Sequence, residues 1–163
     1  MPDQTSKSIE QRIQELEDHN DITRTLRQYG LAVDYGDNDG VVDCFTSDAV
    51  REIHRPDGTV NRWEGADEMR QFARNHSHAP DKYHKHLTFN SIVELDGDAA
   101  SVTSYMFRFD ASDGDKTHIW GMGRHLDKMR RDPDGKWRIL ERITYIEDDW
   151  PGRSRPKIDA AKA

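Results

Sequence analysis

The sequence predicts an α+β fold in which N-terminal helices pack on a long, curved, mostly antiparallel sheet. Apolar residues recur at helical spacing near the start of the chain, and long strand-like segments joined by short turns fill its second half. With 163 residues, of which 34% are hydrophobic and 34% charged, the chain suits one domain with a polar surface. We expect a flexible N-terminus over 1–7, the domain over 8–150 and a polar tail over 151–163.

The first part of the chain predicts helices. Apolar residues recur near a helical spacing through residues 9–33, and Ser8 is suited to cap the start. The pattern fits one long helix, or two helices with a break near residues 19–21. The turn sequence at 36–40 then precedes a short helix that we expect over 41–45.

The middle of the chain predicts a hairpin and one more helix. Residues 49–54 and 60–63 are the two strands, and the sequence Pro-Asp-Gly at 56–58 is the turn between them. Residues 65–75 have apolar side chains at helical spacing and acids in the first turn, which favour the helix dipole. Four long strands joined by Asp- and Gly-rich turns follow, over 86–95, 99–109, 117–129 and 137–147. A curved sheet wrapped against helices leaves a concave pocket in which a small ligand would bind.

Composition excludes several classes of protein. The net charge of −7 argues against nucleic-acid binding. Cys44 is the only cysteine, so the chain has no internal disulfide and no cysteine-based zinc site. The first residues are polar and no apolar run approaches membrane-spanning length, so we expect a cytoplasmic protein without a membrane partner. The glycines near residues 121–124 lack the third glycine of a dinucleotide loop, and we expect no cofactor.

Two ionisable residues stand out as candidates for chemistry. Asp34 follows the apolar stretch at 31–33 and lies near the edge of an apolar helix face, so it is a surface charge or a pocket carboxylate. His86 opens a strand in which Thr88 and Asn90 share its face, and it is a hydrogen-bonded strand histidine or a functional one. If the two meet, the carboxylate orients the imidazole as a general base able to work near neutral pH.

Further histidines are candidate pocket residues. His84 has the same strand parity as His86, and His125 alternates with glycine and aspartate on a strand that we expect to be central. The spacing of His76 and His78 with His84 and His86 is reminiscent of a metal site, but the set lacks a clear carboxylate ligand. We therefore expect no metal.

Other polar and aromatic residues complete the candidate site. Tyr29 either hydrogen-bonds a ligand oxygen or packs in the core. Arg142 is expected on a central strand, where a buried guanidinium needs an anion and is either structural or a clamp for the substrate. Asn90 supports either a ligand or the backbone, and Trp120 and Tyr105 are candidate core or pocket walls.

Several short segments together carry a resemblance to a known family. They are 22–34 with Asp37, Cys44-Phe45, Asp48-Ala49, Gly65, 86–90, 97–99, Gly123 with Asp127, and 137–142. In order and spacing, the chain over 8–150 resembles the SnoaL-like branch of the nuclear transport factor 2-like superfamily. The resemblance implies a cone-shaped α+β barrel.

The resemblance also implies roles for individual residues. Scytalone dehydratase, bile acid 7α-dehydratase and hexachlorocyclohexane dehydrochlorinase, all of this superfamily, use an Asp–His dyad. By resemblance, Asp34 is the dyad aspartate and His86 the dyad histidine. Tyr29 resembles the active-site tyrosine of the bile acid enzyme, and Arg142 resembles an active-site arginine of the dehydrochlorinase.

Two functions from different classes follow as hypotheses. The first is a cofactor-independent lyase, or an isomerase, that acts on a small hydrophobic or polycyclic molecule through the dyad. The second is a non-catalytic module, either a ligand-binding protein or a small oligomerising subunit of a multicomponent oxygenase, because this fold hosts both kinds of protein. In either case we expect a homodimer or homotrimer, since neither face of the strand over 99–109 is cleanly polar.

Overall fold

The computed structural model describes residues 7–111 and 117–147. Its elements are α1 (Ile9–Tyr35), α2 (Asn38–Asp43), β1 (Phe45–His54), β2 (Val60–Glu64), α3 (Gly65–Asn75), β3 (Tyr83–Asp96), β4 (Ala99–Ala111), β5 (His118–Arg131) and β6 (Trp137–Ile146). Helices followed by long strands confirm the predicted α+β class. The expected tail over 151–163, and all but one residue of the expected flexible N-terminus over 1–7, lie outside the described residues.

The strands in the described part of the chain form one curved sheet. Their order is β2-β1-β6-β5-β4-β3, and neighbours are antiparallel except for the parallel pair of β1 and β6. The parallel pair joins the predicted hairpin to the predicted meander, so β6 lies between β1 and β5 as a central strand. The pairing of β3 with β4 is interrupted between Phe89 and Ile92 by a bulge.

The N-terminal helix α1 is continuous, without a break near residues 19–21. It begins with a capping box, in which the Ser8 hydroxyl accepts from the backbone N–H of Gln11 and the Gln11 side chain accepts from the N–H of Ser8. It ends at Gly36, whose φ of 72° is the left-handed conformation that closes many helices. The short helix α2 starts earlier than predicted because the Asp37 carboxylate caps it, accepting from the N–H of Gly40.

The apolar core fills one end of the space between α1 and the sheet. It includes Leu26 of α1, Met129 of β5 and Ile139 of β6, all at most 1% exposed. Farther along the same two strands, His125 and Thr144 line a cavity instead. The packing of α1 therefore leaves an open compartment beyond the core.

A buried polar anchor fixes α1 on the sheet. The Asp18 carboxylate accepts from the indole N–H of Trp137 at 3.1 Å and from the Arg131 guanidinium at 2.7 Å. These bonds hold the pKa of Asp18 below its usual range despite the opposing effect of burial. None of the described helices is long and apolar enough to cross a membrane.

Candidate active site

The compartment beyond the core is a cavity of about 370 Å³. Helix α1, helix α3 and the concave face of the sheet enclose it. Its apolar wall includes Trp63, Phe72, Phe107 and Trp120. Its polar lining includes Tyr29, Arg51, Arg108, His76, His86 and His125. A pocket of mainly apolar and aromatic walls with a few polar groups is typical of a small-molecule site.

The sequence-predicted pair of Asp34 and His86 meets at the wall of this cavity. Asp34, in the last turn of α1, is 2% exposed, and its Oδ1 lies 2.6 Å from Nδ1 of His86. The backbone N–H of His86 also donates to Oδ2 of Asp34, at 3.0 Å. Because an ionised carboxylate can only accept, we assign the ring proton to Nδ1. No described residue hydrogen-bonds the other ring nitrogen, Nε2, which is then the basic atom.

A glycine allows this meeting of helix and strand. Gly30 lies one turn before Asp34 on α1, and a Cβ atom there would be 2.8 Å from the carbonyl oxygen of His86. Real Cβ atoms do not approach an oxygen so closely, so any other residue would push the start of β3 away from the helix. The backbone carbonyl of Asp34 also accepts from the N–H of Ala79, which holds the segment leading to β3 against α1.

The environment keeps His86 neutral. Burial lowers the pKa of its imidazole, the hydrogen bond and charge of Asp34 act in the opposite direction, and Arg108 and Arg51 lower it further. The net shift is downward from the ordinary value of 6.5. At neutral pH the ring is therefore unprotonated at Nε2 and able to accept a proton.

Two further histidines pack against the dyad. The rings of His76, His84 and His86 lie edge to face, with centroids 5.0 to 5.2 Å apart. His84 is fully buried, its Nε2 is 3.6 Å from Asp34 Oδ1, and neither of its ring nitrogens has a hydrogen-bond partner among the described residues. His76 bonds the carbonyl of Ser77 through Nδ1 at 2.7 Å.

The geometry favours a hydrogen-bonded dyad over a metal centre. Asp34, His84 and His86 each place a ligand atom within 4.8 Å of the others, so Asp34 supplies the carboxylate that the histidine spacing lacked. A metal bound by both dyad residues, at about 2.0–2.2 Å from each, would need the Asp34 oxygen and the His86 nitrogen well over 2.6 Å apart. The observed contact is instead the length of a charge-assisted hydrogen bond.

The histidine cluster predicts a pH dependence of stability. Burial lowers the pKa of both His76 and His84 to about 4. In the unfolded chain each would protonate near pH 6.5, so unfolding takes up protons between pH 6.5 and 4. The free energy of unfolding is therefore expected to fall as the pH drops through this window, by up to about 1.4 kcal/mol per pH unit for each histidine.

The measurement is urea unfolding of the wild type and the His84→Gln variant at several pH values across this window. The variant loses one of the histidines whose pKa is lowered by folding, and its stability should depend less steeply on pH. The control variant His19→Gln, at an exposed position of α1, should keep the wild-type slope. An unchanged slope in His84→Gln would contradict the expectation.

Three other predicted residues lie at the cavity. The hydroxyl of Tyr29 accepts a hydrogen bond from Nη1 of Arg51 at 2.5 Å, and the tyrosine ring packs edge-on against Phe45. His125 is buried and its Nδ1 is 2.9 Å from the Thr144 hydroxyl, while burial and the nearby Arg142 hold its pKa well below 6.5. Trp120 lines the cavity, and the Arg108 guanidinium lies over its ring at 4.5 Å.

Besides the buried Asp34 and His84, three more predicted residues lie outside the cavity lining. Arg142 is completely buried and donates to both oxygens of Asp127, at 2.7 and 2.9 Å, beneath the ring of Tyr29. Asn90 is exposed at the bulge in β3, with a φ of 52°, so strand alternation no longer places it on the face of His86. Tyr105 is 52% exposed and packs against Phe89.

The arginines of the cavity lining were not found from the sequence. Arg51 is buried on β1, and Arg108 on β4 donates to both oxygens of Asp110 at 2.7 and 3.1 Å. For Arg51 the sequence did contain a signal. Side chains alternate along β1, so that Ala49, Arg51 and Ile53 share a face. Ala49 is fully buried and Ile53 lines the cavity, so the face points inward.

Comparison with solved structures shows the same fold in several proteins. An NTF2-like protein with a cystatin-like fold from Novosphingobium aromaticivorans is 21% identical, with a TM-score of 0.75 over 94% of this chain and 96% of that one. A candidate scytalone dehydratase from the same organism is 16% identical, with a TM-score of 0.67 over 89% of this chain and 95% of that one.

A more similar sequence belongs to a protein of unknown function. A point variant of Rv3472 from Mycobacterium tuberculosis is 28% identical, with a TM-score of 0.73 over 88% of this chain and 80% of that one. No curated protein matches the sequence significantly. The model of the SnoaL-like domain matches residues 14–143, which include all but the start of α1 and almost all of the sheet. The chain therefore belongs to the SnoaL-like domain family.

Proposed function

We propose that this protein is a cofactor-independent lyase or isomerase that acts on a small hydrophobic or polycyclic molecule, with Asp34 and His86 as its general-base dyad. One observation carries the proposal. The two side chains are hydrogen-bonded at the wall of an open cavity, and no described residue pairs with the second ring nitrogen of His86. A base that faces a small-molecule cavity is arranged to take a proton from a bound ligand.

The reaction begins when Nε2 of His86 takes a proton from a carbon next to an activating carbonyl. The C–H bonding pair moves into the carbonyl to give an enolate, and the imidazolium is stabilised by the Asp34 carboxylate. In an elimination, the enolate then expels a leaving group with its bonding pair, whereas in an isomerisation the proton returns to a different carbon. The Tyr29 hydroxyl accepts from Arg51, so its own hydrogen can be donated to the developing oxyanion.

The sequence suggested Arg142 as a second stabiliser, but its position supports an indirect role. Its guanidinium is held by Asp127 and lies 4.7 Å from the Tyr29 ring centroid. We propose that Arg142 holds the Tyr29 ring in position by packing against it. His84 and His76 would hold the dyad in position in the same way.

The alternative is a non-catalytic module of the same fold. A structural module would fill the cavity with side chains and would not need the dyad. The open volume of about 370 Å³ and the 2.6 Å contact between Asp34 and His86 count against that alternative. A ligand-binding protein would share the cavity, and only chemistry on a bound molecule separates it from an enzyme.

Proton exchange tests the proposal without knowledge of the physiological substrate. Bicyclic aromatic ketones such as 1-tetralone and 2-tetralone have acidic C–H bonds next to a carbonyl. Incubated in D₂O, they should gain deuterium at that carbon faster with the wild type than with the His86→Ala variant, as measured by mass spectrometry. Ligands that raise the melting temperature but never exchange or react would favour the binding-protein alternative.

We also propose that the chain assembles as a homodimer or homotrimer through the exposed side of the sheet. That side carries large apolar groups that are exposed in the single chain, including Phe89, Ile92, Tyr105 and Met122. Analytical ultracentrifugation gives the assembly state directly.

A further inference from the structure

Arg51 is a buried cation that has no counter-ion in the described part of the chain. Its side chain lines the cavity, but it is only 5% exposed. Nη1 donates to Tyr29, Nε is buried without a partner, and no carboxylate of the described residues forms an ion pair with the guanidinium. Burial lowers the pKa of this guanidinium, and the nearby Arg142 lowers it further.

The imbalance of charge is visible in a row of residues across the sheet. Arg51 on β1 is in register with Arg142 on β6, and Arg142 is in register with Asp127 on β5. Asp127 gives both oxygens to Arg142. The row therefore contains two guanidinium groups and one carboxylate, and the uncompensated positive charge is that of Arg51.

The other two arginines of the cavity are in a different position. Arg108 is paired with the Asp110 carboxylate, and Arg55, which is only partly buried, donates to the neutral Asn61 side chain at 2.9 Å. Aromatic rings pack around the Arg51 guanidinium, with Phe72 at 4.3 Å and Trp63 at 5.9 Å from its central carbon. Cation–π contacts favour a cation but do not replace an anion, and a buried charge without an anion is costly.

We propose that Arg51 binds a carboxylate of the ligand, so that the cavity takes small aromatic or unsaturated carboxylic acids. The carboxylate would accept from the free N–H groups of Arg51, and the apolar part of the acid would contact Trp63 and Phe72. The inference adds a substrate class to the proposed function. Binding of the carboxylate does not depend on that function, and only the reaction of the bound acid rests on it.

A matched pair of ligands tests the site. 2-Naphthoate and 2-naphthamide have the same shape and differ in charge, and calorimetry gives the dissociation constant of each. We expect the wild type to bind the carboxylate about 10- to 100-fold more tightly than the amide, as a charge-assisted bond to a buried guanidinium provides. Arg51→Met should remove this preference, and Arg51→Lys should keep part of it.

The control is Arg62→Met. Arg62 is an exposed arginine on the neighbouring strand β2, paired with Glu52 and Glu64, and its loss should leave the preference unchanged. Arg51→Gln serves as the second neutral variant if Arg51→Met does not fold. Equal binding of the two ligands by the wild type, no measurable binding of naphthoate, or a preference that persists in the neutral variants would each overturn the proposal.

The same measurement on His86→Ala separates this inference from the proposed catalysis. The anion preference should survive in that variant because His86 makes no bond to Arg51. If the preference depends on Arg51 but no ketone exchanges deuterium, the anion site is supported and the enzymatic role is contradicted.

Discussion

Replacing either member of the dyad is expected to lower turnover of a verified substrate by roughly 10²- to 10⁴-fold, the usual contribution of a positioned general base. His86→Ala removes the atom that accepts the proton. Asp34→Asn keeps the shape of the side chain but removes the negative charge that stabilises the imidazolium. The measurement is the turnover number of each variant under saturating substrate.

The two variants should not be additive. Because Asp34 acts through His86, the double variant is expected to be about as slow as His86→Ala alone. Asp21→Asn on the exposed side of α1 and His118→Ala at the exposed start of β5 are matched controls and should keep the native rate. Native turnover in both dyad variants would rule out the mechanism.

Breaking the buried ion pair is expected to have the largest effect on stability. The side chains of Arg142 and Asp127 are both fully buried. Asp127→Asn leaves a guanidinium without its anion and should lower the free energy of unfolding by about 3–5 kcal/mol. The double variant Asp127→Leu with Arg142→Met removes both charges and should be far closer to the wild type.

Urea unfolding of the single and double variants measures these differences. The control is the exposed pair of Lys128 and Glu141, which joins the same two strands at 2.9 Å with side chains 65% and 33% exposed. Its removal should change the free energy of unfolding by no more than about 1 kcal/mol. If removing the exposed pair lowers the free energy of unfolding as much as breaking the buried pair does, burial does not explain the effect of the buried pair.

The fold could be predicted well from the sequence because periodicity and turn chemistry agree along most of the chain. Helix α3 was predicted with its observed bounds, and the turn sequences separate the long strands correctly. The start of β3 was placed at residue 86 although the strand begins at Tyr83. Residues 83–86 show no alternation of apolar and polar side chains that would predict a strand. His84 is buried there, but it is covered by α1 and its histidine neighbours rather than by an apolar core.

The site was predictable only in part. The pairing of Asp34 with His86 came from a family resemblance, because residues so distant in the chain leave no local pattern. Arg142 was placed correctly on a central strand, but its partner Asp127 depends on the register between β5 and β6. That register, like the bulge at Asn90, follows from packing of the whole sheet, which one sequence does not reveal.

His86 lies on an outer strand of the sheet, and this position affects pairing with other molecules as well as catalysis. Among the described strands β3 pairs with β4 alone, and an outer strand presents unpaired N–H groups that can recruit strands from other molecules. At His86 that N–H is taken by Asp34. One carboxylate therefore both orients a base and removes one N–H group with which a strand of another molecule could pair. An acceptor oxygen at position 34 would keep this second use even in a protein without catalysis.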